Sequence, residues 1–325
     1  MRRPRLNSCI VGLLLVIATA CSSAQKNTTA KTSLNQLSVT DIKPGVTLPS
    51  NKFFSAEKVR ENIIRIRGVA GELMYLVEGK NKAVLIDAGT GVGDLSAYVK
   101  QFTGKPITVI ITHGHVDHAF GAANFKDVYM SSADDSIFIA HSNPAVRKGF
   151  LKLASKDYDK FSDSDFVKPA SLSTFKDIKN DTTFDLGGTT LEVFHDAGHT
   201  PGQLAVLFKE QRILLTGDGA NQFTFLFSNP SITINDYENI LKTLLVKTQG
   251  KFDSIFVSHG PGGASKELLS NLIVVCEDIK AGRSDEVPFN FMGLTEYIAK
   301  KVDFKTMRRE DGGEGNIVYS KDQVN

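Results

Sequence analysis

The sequence predicts an α/β domain whose chemically active residues lie where strands end. Short apolar runs rich in β-branched residues alternate with segments of helical spacing through most of the chain. Four of these runs end in a His or Asp cluster that also contains glycine, and five of the seven histidines lie in these clusters. Because loops at one edge of a sheet lie close together, the four clusters predict a single site.

The first twenty residues have the features of an export signal. Three arginines precede an apolar run over residues 10–18, which is too short for a comfortable membrane span. The run ends in Ala18-Thr19-Ala20-Cys21, which resembles a bacterial lipoprotein signal with Cys21 as the lipidated first residue. A plain secretory signal cleaved near Ala20 is the alternative. We therefore expect a protein of the bacterial cell envelope, anchored by lipid or, in the alternative case, soluble in the periplasm or secreted.

The mature chain is expected to consist of a tether and one domain. Residues 21–50 are rich in Ser, Thr, Lys and Asn and lack an apolar period, which is typical of a disordered tether. Residues 51–325 are sufficient for one two-layered α/β domain with a full core. Within this domain the charged segment 141–172 is predicted to be mainly helical, as a lid over the site or as an ordinary solvated surface.

Charge and cysteine content exclude further classes of protein. Lys and Arg number 38 against 36 Asp and Glu, and three basic residues lie in the leader, so the mature chain is nearly neutral. Because no basic stripe is present, we expect a small-molecule substrate rather than nucleic acid, and membrane contact only through a lipid on Cys21. Cys9 would leave with the leader, and Cys276 lies on an apolar helix face as a packing residue. With Cys21 modified, one chain cannot form a disulfide.

The predicted elements place each cluster directly after a strand. Strands are expected over residues 62–69, 72–77, 82–86, 107–111, 128–130, 189–194, 204–208, 212–215 and 253–257. Helices are expected over residues 94–102, 118–123, 236–246 and 266–279, with Asp117 as the cap of the second.

The most informative stretch is Thr112-His113-Gly114-His115-Val116-Asp117-His118. It holds three imidazoles and one carboxylate at spacings that can serve two adjacent metal ions, and this donor set suits zinc, iron or manganese. Three later strand ends supply further ligand types: His199 in Gly198-His199-Thr200-Pro201-Gly202, Asp218 in Gly217-Asp218, and His259 in Ser258-His259-Gly260.

On these motifs the chain resembles the metallo-β-lactamase superfamily over residues 64–263. The resemblance implies an αββα sandwich, in which two mixed sheets face each other with helices outside and metals at one edge. It also implies two divalent metal ions, zinc first, with iron or manganese as alternatives. Carried over residue by residue, His113, His115 and His199 bind the first ion. Asp117, His118 and His259 bind the second, and Asp218 bridges both.

The resemblance implies a hydrolase in which a hydroxide shared by the two metals attacks an electrophilic centre. Asp117 would orient this nucleophile and carry a proton to the leaving group. The bond could belong to an ester, lactone, thioester, amide or phosphoester. Asp218 separates the chain from true β-lactamases, which have cysteine or serine near that position, and brings it closer to glyoxalase II and the lactonases. Export argues against a thioester of glutathione, a cytoplasmic thiol.

Three alternatives to this hydrolase stay open: a mononuclear-iron dioxygenase of sulfur compounds, a β-lactamase, and a non-catalytic metal-bound envelope protein. Three further residues have predicted supporting positions. Asp87, after the strand over residues 82–86, is expected to accept hydrogen bonds from neighbouring ligand loops. His195 is expected to pack or to support a ligand from behind, and His141 is expected on the surface in preference to the substrate pocket.

The export signal predicts that Cys21→Ala releases the protein from the membrane. Removing the thiol removes the site of lipid attachment, and the short apolar segment cannot replace the anchor. In a bacterial host, the full-length chain should incorporate labelled palmitate and sediment with membranes, whereas Cys21→Ala should do neither. Cys9→Ala, inside the leader, should behave like the wild-type chain. An unlabelled wild-type protein would leave the plain secretory signal as the explanation.

Overall fold

Two β-sheets packed face to face form the centre of the structure, a computed structural model that describes Val39, Lys43 and residues 48–227, 231–291 and 293–325. The predicted signal peptide and most of the predicted tether lie outside the described residues. No helix in the described part of the chain has the length and apolarity needed to cross a bilayer.

The first sheet has the strand order β1-β2-β3-β4-β5-β6-β7. Its first four strands pair antiparallel, and the last three join in parallel. The strands are β1 (Ser55–Arg60), β2 (Ile63–Arg67), β3 (Leu73–Glu78), β4 (Ala83–Ile86), β5 (Ile107–Ile110), β6 (Val128–Met130) and β7 (Phe175–Asp177).

The second sheet has the order β14-β13-β11-β10-β9-β8, and all its pairs are antiparallel except β11 with β13. Its strands are β8 (Thr183–Asp185), β9 (Thr190–His195), β10 (Leu204–Phe208), β11 (Ile213–Gly217), β13 (Ser254–Val257) and β14 (Gly263–Ser265). Both sheets are therefore mixed, as the sequence predicts.

A smaller sheet at the C-terminal side has the order β12-β19-β16-β15. Its strands are β12 (Thr224–Leu226), β15 (Val287–Phe291), β16 (Leu294–Ile298) and β19 (Ile317–Tyr319), and a separate pair is formed by β17 (Val302–Asp303) and β18 (Arg308–Arg309). These strands were not predicted from the sequence, nor were β1, β7, β8 and β14.

The helices lie on the outer faces of the two large sheets. They are α1 (Leu95–Val99), α2 (Val116–Ala119), α3 (Asp135–His141), α4 (Pro144–Ala154), α5 (Ile234–Thr248) and α6 (Leu268–Lys280). Short 3-10 turns occupy Ala122–Asn124, Ser132–Asp134, Tyr158–Lys160, Asp163–Asp165, Leu172–Thr174 and Lys321–Gln323. The expected helix over residues 118–123 is wrong: α2 begins earlier, with His115 as its N-cap and Asp117 in its first turn.

Strand alternation explains why the layers stack as they do. In β3, Tyr75 and Val77 point into the core between the sheets, whereas Met74 and Leu76 point into the core under α1 and α3. In β10 the same alternation directs Val206 into the core between the sheets, whereas Ala205 and Leu207 face α5 and α6. Strands buried on both faces read as continuous apolar runs. The result is the predicted αββα sandwich, and Cys276 on α6 is buried as expected.

Hydrogen bonds join the two sheets near the strand ends that carry the clusters. Leu204 N–H donates to the Thr112 carbonyl at 2.9 Å, and Leu73 N–H donates to the Ser258 carbonyl at 2.8 Å. The Tyr75 hydroxyl, fully buried, donates toward the Val257 carbonyl at 2.7 Å. These contacts hold loops from different sheets at one edge.

A carboxyl group is buried in the second sheet without compensation. Asp196, directly after β9, is 0 % exposed, and neither side-chain oxygen has a hydrogen-bond partner among the described residues. Burial raises the pKa of Asp196 well above its usual value. Burial therefore favours the protonated form of this carboxyl in the folded protein. Its oxygen occupies the space in which a Cβ at Gly219 would stand, so glycine is required there.

Asp196→Asn should make the free energy of unfolding less sensitive to pH. The unfolded carboxyl ionises above about pH 4, while the folded one stays protonated, so each further pH unit weakens the wild-type fold by up to ~1.4 kcal/mol until the raised folded pKa is reached. Below about pH 4 this difference disappears. Denaturant unfolding at pH 5 and pH 8 should therefore show that the free energy of unfolding of the variant, relative to the wild type, is larger at pH 8. Asp159→Asn, at an exposed position, is the control. Parallel pH profiles for wild type and Asp196→Asn would contradict a protonated Asp196.

Candidate metal centre

The seven predicted ligands lie at one edge of the sandwich, in loops from both sheets. The loop after β5 and the first turn of α2 carry His113, His115, Asp117 and His118, and three loops of the second sheet carry the others. His199 follows β9, Asp218 follows β11, and His259 follows β13. The structure thus brings together every residue that the sequence predicted as a ligand.

Three imidazoles form the first group. His115 Nδ1 lies 3.1 Å from His113 Nε2 and 2.9 Å from His199 Nε2. Burial, together with the neighbouring imidazoles, holds the pKa values of His113 and His115 well below the usual value. Both rings are therefore neutral and offer nitrogen lone pairs, which is the form that binds a metal.

The second group contains Asp117, His118 and His259, whose ligand atoms lie within 4.8 Å of one another. Asp117 Oδ2 lies 3.6 Å from His118 Nε2 and 3.4 Å from His259 Nε2. The Asp117 side chain is 10 % exposed and that of Asp218 is 12 % exposed, so both carboxylates are largely buried.

Asp218 lies between the two groups. Its Oδ2 is 3.1 Å from His259 Nε2, 3.5 Å from His118 Nε2 and 4.0 Å from His199 Nε2. Burial alone would raise the pKa of Asp218, but the charges of His259 and His118 outweigh burial and hold it well below its usual value. An ionised carboxylate in this position can reach ligands of both groups.

The donor set fits divalent cations. His118 Nε2 is buried and has no hydrogen-bond partner among the described residues, while its Nδ1 lies 2.8 Å from Asp87 Oδ2. Three overlapping sets of three His or Asp residues meet here, and within each set the ligand atoms lie within 4.8 Å of one another. Imidazole and carboxylate donors at this spacing suit zinc, iron or manganese.

Asp87 holds the first motif in place, as expected from the sequence. Its Oδ1 accepts the Thr112 N–H at 2.7 Å, and its Oδ2 accepts the Thr112 hydroxyl at 2.9 Å. The same Oδ2 faces His118 Nδ1, so Asp87 orients this ring with Nε2 toward the ligand cluster. Asp87 has a left-handed backbone, φ 64°, which turns the chain directly after β4.

Asp134 is a supporting residue that the sequence analysis missed. Its buried carboxylate accepts the N–H of Gly114 at 2.8 Å, the hydroxyl of Thr200 at 2.8 Å and the N–H of Gly202 at 2.6 Å. It therefore connects the loop of His113 and His115 with the loop of His199. No motif surrounds Asp134, which lies in a 3-10 turn before α3.

Glu72 is a second missed residue. Its carboxylate accepts the N–H groups of Ala70 at 2.8 Å and Thr90 at 3.2 Å, so it supports the turn that follows Asp87. Burial and the charge of Asp117 raise the pKa of Glu72 to about 7. The only signal for it in the sequence was an acidic residue at the start of an otherwise apolar strand.

The two other histidines lie where the sequence analysis did not expect them. His141, expected on the surface, is half-buried at the end of α3 and stacks on His115, with ring centroids 5.0 Å apart. It therefore lines the site. His195, expected to pack or to support a ligand, is exposed, and its Nε2 lies 3.2 Å from the Ile178 carbonyl.

A sandwich of two mixed sheets that gathers His and Asp side chains from both sheets at one edge defines a metal-binding α/β protein. The model of the metallo-beta-lactamase superfamily matches residues 67–259, more than half of the sequence, and the chain belongs to this superfamily. A solved structure, that of the inverting sec-alkylsulfatase Pisa1 from Pseudomonas sp., has the same fold with a TM-score of 0.54 at 18% identity, covering 70% of this chain and 42% of that one.

Two similar proteins have hydrolytic names. An acyl-coenzyme A thioesterase from Gallus gallus is 24% identical over 182 residues, covering 50% of this chain and 63% of the relative. A hydroxyacylglutathione hydrolase from Haemophilus influenzae is 23% identical over 206 residues, covering 62% of this chain and 89% of the relative. The match thus spans less than two thirds of the length of the thioesterase.

Asp134→Ala should destabilise the fold and weaken metal retention together. The substitution leaves three buried donors from two ligand loops without an acceptor, which costs on the order of 3 kcal/mol. Denaturant unfolding and the metal content of purified protein measure the two effects. Asp135→Ala, one residue further along, should change the free energy of unfolding by less than ~1 kcal/mol and keep its metal. Equal stability and metal content in both variants would contradict the connecting role of Asp134.

Proposed function

We propose that the chain is a dinuclear metal-dependent hydrolase of small acyl compounds, esters or thioesters. The observation that supports this most strongly is the position of Asp218 between two separate ligand groups, within 4.0 Å of ligand atoms from each. A mononuclear site would need only one of the two groups. Burial of Asp218 beside both ligand groups is explained if its carboxylate binds two ions.

In this proposal each group of side chains holds one divalent ion, with zinc as the first candidate. His113, His115 and His199 bind the first, Asp117, His118 and His259 bind the second, and Asp218 contributes to both. When bound, such ions lower the pKa of a coordinated water and polarise the oxygen of the substrate. Asp87 and the Phe225 carbonyl, which faces His199 Nδ1 at 2.8 Å, fix the orientation of two of the rings.

Asp117 is proposed to handle the proton. Asp117 and Asp218 are buried to a similar degree, but the Asp218 carboxyl is held ionised by His259 and His118 and is a poor proton donor. Asp117 accepts a hydrogen bond from the attacking water, takes its proton and delivers it to the leaving oxygen or sulfur. Neither a serine nor a cysteine nucleophile is needed.

Among the ester, lactone, thioester, amide and phosphoester bonds that such a site could cleave, the names of the relatives favour the hydrolysis of an acyl compound. One relative is called an acyl-coenzyme A thioesterase and the other a hydroxyacylglutathione hydrolase. Export would place this chain in the cell envelope, so we propose an acyl ester or thioester that occurs there. A lipid on Cys21 would tether the domain to the membrane.

A hydrolase screen of the mature chain with measured metal content tests the proposal. We expect close to two zinc ions per chain and turnover of at least one acyl ester or thioester. One iron per chain, with oxygen consumed during oxidation of a sulfur compound, would overturn the hydrolase in favour of a dioxygenase. Preferred turnover of a β-lactam would overturn the acyl-compound assignment. If the two-metal protein turned over no ester, thioester, lactone, β-lactam or phosphodiester, the hydrolase proposal as a whole would be overturned.

Asp117→Ala should reduce kcat for the best substrate by ~10³-fold or more, because it removes the proposed proton carrier and one ligand. The fold should persist, since the first ligand group and its supports are intact, and about one metal ion per chain should be lost. Steady-state kinetics, metal analysis and denaturant unfolding measure these three effects. Asp159→Ala, at an exposed position, should match the wild type. Activity of Asp117→Ala within a few-fold of wild type would refute its role.

A further inference from the structure

One face of α3 lies along the loop of the first motif. Asp134, the N-cap of α3, Phe138 and His141 are separated by four and three residues, so they share one face of the helix. A Cβ at Gly114 would lie 2.9 Å from the Asp134 carbonyl oxygen and 3.2 Å from the Phe138 nitrogen, so the loop packs directly on the helix backbone. The last residue of this face, His141, reaches His115.

His141 contacts His115 through the face of its ring. The two ring centroids lie 5.0 Å apart and the ring planes are 22° from parallel, which is a stacked arrangement. His141 Nδ1 is buried and has no hydrogen-bond partner among the described residues, so this nitrogen does not hold the ring in place. The contact that the structure shows between the two histidines is therefore one of packing.

This stacked geometry differs from that of a further metal ligand. The three rings of the first ligand group stand edge to face, with interplanar angles of 79°, 80° and 81°, and direct a nitrogen of each ring toward one centre. The lone pair of an imidazole nitrogen lies in the plane of the ring, so a ring stacked on His115 does not aim at the centre that His115 faces. None of the three sets of mutually close ligand atoms found among the described residues includes His141.

His115 is the ring of the first group that needs support from packing. A hydrogen bond at the second nitrogen orients each of the other two rings: Thr112 Oγ1 lies 3.1 Å from His113 Nδ1, and the Phe225 carbonyl lies 2.8 Å from His199 Nδ1. His115 faces the cluster with Nδ1, and the described residues offer its Nε2 no such partner. A ring without that bond rotates about its side-chain bonds unless a neighbour packs against it.

We propose that His141 is a positioning residue of the first ligand group. Its ring packs on His115 and fixes the orientation of that ligand, in place of the hydrogen bond that holds each of the other two rings. This inference concerns metal binding and does not depend on the reaction that the centre catalyses. It also gives α3 a role at both ends, because Asp134 connects the ligand loops at its start and His141 holds a ligand ring at its end.

Zinc affinity tests the stack without requiring turnover. Chelator competition measures zinc binding to the mature chain and to the Asp117→Ala background, which keeps the first ligand group intact. In both, His141→Ala should lower the affinity of one zinc ion by ~3- to 10-fold, the range expected for the loss of one aromatic contact. His141→Phe keeps a ring without a nitrogen, and its zinc affinity should stay within ~2-fold of the parent protein.

Two further variants separate the ring from its nitrogens. His141→Gln, which keeps a nitrogen donor but has no ring, should bind zinc as weakly as His141→Ala. His195→Ala, at an exposed histidine, should match the parent protein. Denaturant unfolding of the metal-free variants checks that each is folded, and His141→Gln and His141→Phe carry the comparison if His141→Ala is not.

Each outcome decides the role of this ring. Loss of zinc affinity in His141→Gln that is absent in His141→Phe supports stacking on His115. Loss in His141→Phe equal to that in His141→Ala would overturn the proposal and show that a nitrogen of His141 binds the metal or a ligand residue. Unchanged zinc affinity in all three variants would also overturn it, and a fall in kcat/KM at full metal content would then assign His141 to the substrate.

Discussion

The arrangement of the site depends on buried carboxylates that must be satisfied by donors from the ligand loops. A carboxylate removed from water is expensive unless several hydrogen bonds replace its hydration. Asp87 and Asp134 are almost completely buried, and each accepts three hydrogen bonds or close donor contacts, chiefly from loops that carry candidate ligands. Burial of these two side chains is therefore favourable only when the ligand loops are in place, which couples the stability of the fold to the geometry of the centre.

The same coupling explains why the ligands were predictable from the sequence. Each ligand must lie at the end of a strand to reach the common edge, and it must be flanked by glycine or another small residue so that the loop can turn. This constraint leaves a short local pattern at His199, Asp218 and His259. Asp87 was also found because it follows a predicted strand directly. The central strands of the two large sheets were predicted because strands buried on both faces are continuous apolar runs, whereas the outer strands β1, β7, β8 and β14 were missed.

Supporting residues and the C-terminal sheet leave no such pattern. Asp134 is far from every ligand in sequence and acts only because β6 and β10 bring its turn beside two loops. His141 and His195 were misplaced because helix and strand phase alone do not show which neighbour a terminal residue meets. The strands of the small sheet are three to five residues long and are interrupted by glycine and polar residues, so their period is too short to detect.

β12 connects the ligand cluster with the core of the small sheet. A strand has its carbonyls in the plane of the sheet and its side chains perpendicular to that plane. At Phe225 the carbonyl lies 2.8 Å from His199 Nδ1, while the ring packs against the small core cluster of Ile298, Val302 and Val318. A ligand that moved this ring by shifting the strand would also move the carbonyl that orients His199, and orientation of a ligand ring by its second nitrogen tunes the attached metal. Among the described residues β12 pairs with β19 alone, so the other edge of its backbone can make this contact.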